Sequence, residues 1–171
     1  LHEACYSGRF EEVKFLLDNG AQSGIKDSAG STPLHYAVLG GSEDTVSLLA
    51  SRSSVRESID EPDAKGNPAL IVAILRQNRP MVQALIANGA SVEHQDSAGL
   101  TALHHAAIAG FNDGLDLIID ETADLNVPDK RGYTAVHHAV NSAEASNNTI
   151  RLLKEGGADL EVQDHVGLTP L

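Results

Sequence analysis

The chain has 171 residues, 42% hydrophobic and 21% charged, a globular rather than a disordered composition. Twelve Lys and Arg against 24 Asp and Glu give a net charge of −12, which argues against nucleic acid and anionic membrane surfaces as partners, since both need a basic footprint. No apolar run approaches a membrane span, and the lone Cys5 cannot form an internal disulfide, so a reducing cytoplasmic or nuclear compartment is compatible.

The first helix pair falls within residues 1–24. Arg9 to Leu17 reads as an outer helix that Asn19-Gly20-Ala21 terminates. Its Val13, Leu16 and Leu17 lie at i, i+3, i+4 spacing, and the same stripe returns as Val46/Leu49, Val82/Leu85/Ile86, Leu115/Ile118/Ile119 and Ile150/Leu153. Cys5 occupies a small-residue slot filled later by Val38, Ala107 and Val140, so a buried structural thiol is expected rather than a nucleophile.

Between these pairs a turn signal recurs. Asp27/Gly30, Asp63/Gly66, Asp96/Gly99, Asp129/Gly132 and Asp164/Gly167 step by 36, 33, 33 and 35 residues. The glycines suit tight turns with positive φ. Helix starts follow: Thr32-Pro33-Leu34-His35, Thr101-Ala102-Leu103-His104, Thr134-Ala135-Val136-His137 and Thr169-Pro170-Leu171, with threonine as N-cap and proline harmless just after it. The frame gives repeats at about 1–26, 27–62, 63–95, 96–128 and 129–163, with another starting at 164. Short helix pairs with one apolar stripe must stack to bury it, so one domain of stacked pairs is expected over 1–171, cut within a repeat at both ends.

Two repeats depart from the pattern. The second carries three extra residues in Ala50 to Ile59, read as a tolerated surface loop, with Arg52 and Arg56 flanking serines as an alternative kinase substrate. The third has Pro68 where threonine belongs and Ile71 where histidine belongs; Asn67 is a candidate replacement N-cap, with Pro68 as first helical residue. Losing both polar residues makes the junction of the second and third repeats the expected soft point. Two extra residues in the fifth repeat belong to the turn between its helices, within 141–148.

Catalytic constellations are not evident, and the segment is expected to be non-enzymatic, without metal or cofactor. Neighbours in His104-His105 and His137-His138 point about 100° apart on a helix, so neither doublet converges on one ion. Gly40-Gly41 and Gly156-Gly157 end helices and lack the Lys-Ser/Thr of a phosphate loop. From Pro80 to Pro128 no Lys or Arg occurs, while Glu93, Asp96, Asp113, Asp116, Asp120, Glu121 and Asp124 do; this is a solvated acidic face or a docking surface for a basic partner.

The motif Asp-x-x-Gly-x-Thr-Pro-Leu-His-x-Ala, a second helix ending in Val-x-x-Leu-Leu and a closing Gly-Ala resemble the ankyrin repeat family over all 171 residues. The resemblance implies an all-α repeat solenoid, helix-turn-helix pairs joined by β-hairpin loops. It implies that His35, His104 and His137 tie neighbouring helix starts, and that His105 and His138 stand where leucine is usual. It also implies that a partner is gripped by hairpin tips and inner helices lining a concave groove. By register, the candidate partner-binding residues are Tyr6, Leu39, Lys65, Asn67, Leu75, Arg76, Leu100, Ile108, Lys130, Arg131, Tyr133 and Asn141. A set this basic and apolar on an acidic chain fits an acidic-apolar protein or peptide ligand. The expected function is thus a protein-protein interaction module, acting as a monomer. The alternative is the targeting or regulatory segment of a larger multidomain enzyme, channel or effector. Asp124-Leu125-Asn126, with Ile118 upstream, also resembles the context that asparagine hydroxylase accepts in such repeats, so Asn126 is a candidate modification site; the alternative is an asparagine chosen for turn geometry.

Overall fold

The helix-start signals are realised as capping boxes. At Thr32, Thr101 and Thr134 the threonine side chain receives the N3 backbone N–H, and the N3 histidine receives the threonine backbone N–H. The computed structural model describes residues 1–171 apart from the side chain of Ser53. Among the described residues are eleven helices and no strand: α1 (His2–Tyr6), α2 (Phe10–Asp18), α3 (Pro33–Gly40), α4 (Glu43–Ala50), α5 (Ser53–Arg56), α6 (Ala69–Leu75), α7 (Arg79–Ala87), α8 (Ala102–Ala109), α9 (Asn112–Glu121), α10 (Ala135–Asn141) and α11 (Asn147–Gly156). The chain divides into two bodies: the first comprises Leu1–Ala73 with Pro80–Ser91, the second Ile74–Arg79 with Val92–Leu171.

In the first body α1 packs on α3, and α2 on α4; in the second α8 packs on α10, and α9 on α11. Inner helices thus stack on inner and outer on outer, as one apolar stripe per helix requires. Val13, Val46, Leu49, Val82 and Leu85 are fully buried in the first body, and Leu115, Ile118 and Leu153 in the second. Each contributes about 2 kcal/mol by transfer from water. Cys5 is likewise buried, and burial pushes its thiol up to about 11, so it is a packing residue.

The loops between repeats turn as hairpins without strand pairing. The glycines three residues after each aspartate are left-handed, with φ of 71° at Gly30, 85° at Gly66 and Gly99, and 86° at Gly132 and Gly167. Space is short there as well: a β-carbon on Gly132 would lie 2.6 Å from the His165 backbone nitrogen. Successive tips meet through backbone bonds, Ala64 N–H to Ala29 O at 2.8 Å in the first body and Lys130 N–H to Ala98 O at 3.1 Å in the second.

One expectation is refined and another corrected. Residues 51–59, expected to be a tolerated surface loop, contain the short helix α5 and bury Val55 and Ile59, 3% and 4% exposed. Val55 lies in α5 and Ile59 in the turn that follows it. The Ser54 hydroxyl is bonded to Ser23 at 2.9 Å and Arg52 to Asp18 at 2.8 Å, so the segment is stitched to its neighbours; the side chain of Ser53 lies outside the described residues. In the third repeat, Pro68 is not the first helical residue. The Val72 N–H bonds the Pro68 carbonyl as Tyr36 N–H bonds Thr32, so Pro68 itself holds the N-cap place, with no side-chain oxygen to offer.

That missing cap has a measurable consequence. In the other repeats the N3 histidine bonds both its own threonine and the next tip; Ile71 can do neither. Amides in residues 50–75 are expected to exchange faster than those in 96–128 despite the packing of α5. Hydrogen-exchange mass spectrometry reads this directly, and equal protection of the two segments would overturn it.

Candidate functional site

The polar scaffold beneath the tips is a ladder of imidazoles. Nε2 of His2 lies 3.1 Å from the Ser31 carbonyl, that of His35 3.0 Å from Asn67, that of His104 3.1 Å from Tyr133 and that of His137 3.2 Å from Leu168. In the last three, Nδ1 accepts the N–H of the capping threonine at 3.2, 3.1 and 3.1 Å, so the ring is neutral and Nε2–H donates. Burial works against a charged ring, lowering the pKa of His35 and taking His104 down to about 4.

A second set, missed in the sequence, fixes the aspartates that shape the tips. Asp27 Oδ2 accepts the Tyr36 hydroxyl at 2.7 Å, Asp96 Oδ2 pairs with His105 at 3.0 Å and Asp129 Oδ2 with His138 at 3.0 Å. The signal was present as a constant spacing of nine residues. His105 and His138, at the positions where leucine is usual, are thus bonded to carboxylates, and Asp63, opposite Val72, has no such ring in register. A third set joins the arms: Asp60 Oδ1 accepts Ser91 N–H at 3.0 Å, Glu93 Oε1 accepts Ala123 N–H at 2.8 Å and Asn126 Oδ1 accepts Asp159 N–H at 2.8 Å. Asn126, the candidate modification site, is half-buried in that role. No group of three His, Cys, Asp or Glu among the described residues is arranged to hold a metal ion.

The candidate binding residues divide between the two bodies. In the first, Tyr6 is 51% exposed and meets Tyr36 edge to face at 6.4 Å; Leu39 and Asn67 are half-buried and Lys65 is exposed. In the second they form two rows. Leu75, Arg76, Ile108 and Asn141 lie at the C-terminal ends of inner helices, whose order is held by Gln77 Nε2–H to Ala109 O at 3.0 Å and Ser142 hydroxyl to Ile108 O at 2.7 Å. Leu100, Lys130, Arg131 and Tyr133 lie at the tips, one inner helix away, a length of about 12 Å.

At the tips the structure brings two candidates into contact. The Arg131 guanidinium sits 4.7 Å over the Tyr133 ring, and Tyr133 stacks on His137 at 5.4 Å with 2° between planes. Lys130 Nζ donates to the Ser97 carbonyl at 2.6 Å. The acidic face is exposed as expected at Asp113, Asp120, Glu121 and Asp124, but Asp116 is clamped by Arg79, whose two terminal nitrogens lie 2.5 and 2.9 Å from its carboxylate oxygens.

Stacked helix pairs, tips in register and a polar ladder under them define a helical repeat protein. A family profile for ankyrin repeats (3 copies) matches residues 1–96 and 70–164, and the chain belongs to the ankyrin repeat family, whose repeats are protein-interaction modules. It is 30% identical over 110 residues to transient receptor potential cation channel subfamily A member 1 of Homo sapiens, covering 64% of this chain and 10% of that protein. Phosphocholine transferase AnkX of Legionella pneumophila is 32% identical over 101 residues, 58% of this chain and 11% of that one. Neurogenic locus notch homolog protein 1 of Xenopus laevis is 34% identical over 110 residues, 63% of this chain and 4% of that one. The chain thus spans about a tenth or less of these relatives' lengths. No helix among the described residues is long and apolar enough to cross a membrane.

Proposed function

We propose that this chain is a non-catalytic binding module whose second body takes a protein or peptide ligand on the tip row and the inner-helix ends. The observation that carries the reading is the fixed Arg131–Tyr133 pair, an exposed cation on an aromatic platform of the kind that anchors interfaces. Leu75, 49% exposed, and Arg76 extend the surface along the helix ends. The module acts as a monomer, and the buried Cys5 fits a reducing cytoplasmic or nuclear setting.

Selection of a phage-displayed peptide library on the chain tests this. Enriched peptides are expected to lose binding to an Arg76→Glu/Arg131→Glu/Tyr133→Ala variant that retains the parent circular dichroism spectrum. Peptides that bind parent and variant alike would move the working surface to the acidic outer helices.

A second reading, that the array targets or regulates a larger chain, is favoured by the relatives, among them a channel and a transferase many times longer. The full open reading frame decides it: a catalytic or membrane-spanning segment outside these residues supports it, and an array of repeats alone opposes it.

A further inference from the structure

On the second body's tips the acidic residues face inward and the basic residues outward. Asp129 is 5% exposed and Asp164 7%, each with Oδ1 accepting two backbone N–H groups of its own turn; Asp96, half-buried, does the same. The tip residues between each aspartate and its glycine are Ser97-Ala98, Lys130-Arg131 and His165-Val166, which include no carboxylate. On a chain of net charge −12 these outward positions carry two cations, Lys130 and Arg131, and no acid.

Arg131 is anchored through its backbone, and its side chain is placed over one ring. Its N–H donates to Asp129 Oδ1 at 2.8 Å, its carbonyl accepts His165 N–H at 3.4 Å and its guanidinium sits 4.7 Å over the Tyr133 ring, with Nε 3.8 Å from Asp129 Oδ2. The side chain is still 69% exposed, so the terminal nitrogens face solvent. A guanidinium held this way needs little further ordering to accept two oxygens of one anionic group. Val166 holds the equivalent place on the next tip and is 80% exposed, and on the other side Ala98 is exposed and small. Stacked helices stand about 10 Å apart, and an extended peptide advances about 3.3 Å per residue, so neighbouring tips match peptide positions about three apart.

We propose that the tip row of the second body binds an extended acidic peptide, with a Glu or Asp carboxylate seated on Arg131 and an apolar residue three positions away against Val166. The assignment rests on the interaction-module reading and specifies its ligand. Charge complementarity selects an acidic peptide over other occupants, and the apolar neighbour of Arg131 selects one with a hydrophobic residue at fixed spacing.

The probe is a fluorescein-labelled peptide Gly-Ser-Leu-Gly-Ser-Glu-Ser-Gly-Leu-Ser-Gly, with leucines three positions to either side of the glutamate so that either chain direction fits. Fluorescence anisotropy with the 171-residue chain is expected to show saturable binding that weakens about tenfold when the peptide's Glu becomes Gln, and similarly in Arg131→Lys, which keeps the charge but loses the fork. Moving both leucines one residue closer is expected to weaken it several-fold. Equal affinity for the Glu and Gln peptides, or for parent and Arg131→Lys, would overturn the proposal, as would no saturable binding below about 1 mM. Preference for a phosphoserine peptide without discrimination between Glu and Gln, or Arg131-dependent binding of a thymidine oligonucleotide in place of the peptide, would also overturn it. The display selection separates the two failures: ligands that need the surface but carry no acid remove this inference alone, whereas ligands indifferent to the triple variant remove the module reading too.

Discussion

Asp129→Ala is expected to lower the unfolding free energy by about 4 kcal/mol, roughly twice the cost of the same change at Asp63. The two residues open equivalent turns, and each offers Oδ1 to two backbone N–H groups: Arg131 and Tyr133 at 2.8 and 2.9 Å for Asp129, Lys65 and Asn67 at 2.9 and 3.0 Å for Asp63. Asp129 differs in its second oxygen, which takes the buried His138, and in being buried itself. Truncation there strands the buried His138 donor and two part-buried N–H groups, each at about 1–3 kcal/mol, whereas at half-exposed Asp63 water replaces much of what is lost. Burial acts to raise the pKa of Asp129, but the N–H groups of Tyr133 and Arg131, with His138, outweigh it and hold the carboxyl below its usual range. The group is thus an anion at neutral pH, and Asp129→Asn is expected to cost less than Asp129→Ala because it keeps the Oδ1 acceptor. Urea denaturation followed by circular dichroism measures all three variants. A loss at Asp129 no greater than at Asp63 would mean that the His138 contact contributes nothing.

The repeat frame and its caps were legible because they repeat. A threonine and a histidine three residues apart occur in three registers and vanish together at Pro68 and Ile71, which identifies them as one device before any coordinates are seen. Positive φ at Gly30, Gly99 and Gly132 was legible because only glycine recurs there. Contacts between repeats whose residue type varies were harder to see. Asp60, Glu93 and Asn126 perform one task, accepting an N–H of the next repeat, with three side chains of different length and charge. The aspartate partners at Tyr36, His105 and His138 are masked in the same way, by a ring that changes identity. The burial of Val55 and Ile59 was illegible for another reason: α5 is four residues long, too short for a period to be read. At the candidate site, register alone gave Lys130, Arg131 and Tyr133 as tip residues and Leu75 and Ile108 as inner-helix residues, but it could not show that Arg131 lies over Tyr133.

Acidification from pH 7.5 to 5 is expected to destabilise the fold by about 2 kcal/mol through His104 alone, because the ladder requires neutral rings. An unfolded imidazole titrates near 6.5, whereas folded His104 is held down to about 4, first by burial, with His138 and His105 adding repulsion that the Tyr133 carbonyl and Asp129 only partly offset. The folded pKa lies below the unfolded one, so the unfolded chain binds the proton more readily. The contribution is fully present above about pH 6.5 and is lost as pH falls toward 4. His35 and His138 are lowered by burial too and act with the same sign. The lowered carboxyls Asp27, Asp96, Asp129 and Asp164 act in a separate window below the ordinary carboxylate range, where stability falls as they are protonated. Relief of the repulsion within a chain of charge −12 works in the opposite direction. Those charges are exposed and screened over about 8 Å at physiological salt, while His104 is 1% exposed, so the buried imidazole wins. Urea midpoints in 0.15 M salt at the two pH values measure the loss. His104→Gln, less stable at neutral pH, is expected to show a shallower pH dependence than the parent. A parent midpoint unchanged between pH 7.5 and 5, or equal slopes for parent and variant, would mean that the proton on Nδ1 is accommodated without breaking the bond to Thr101.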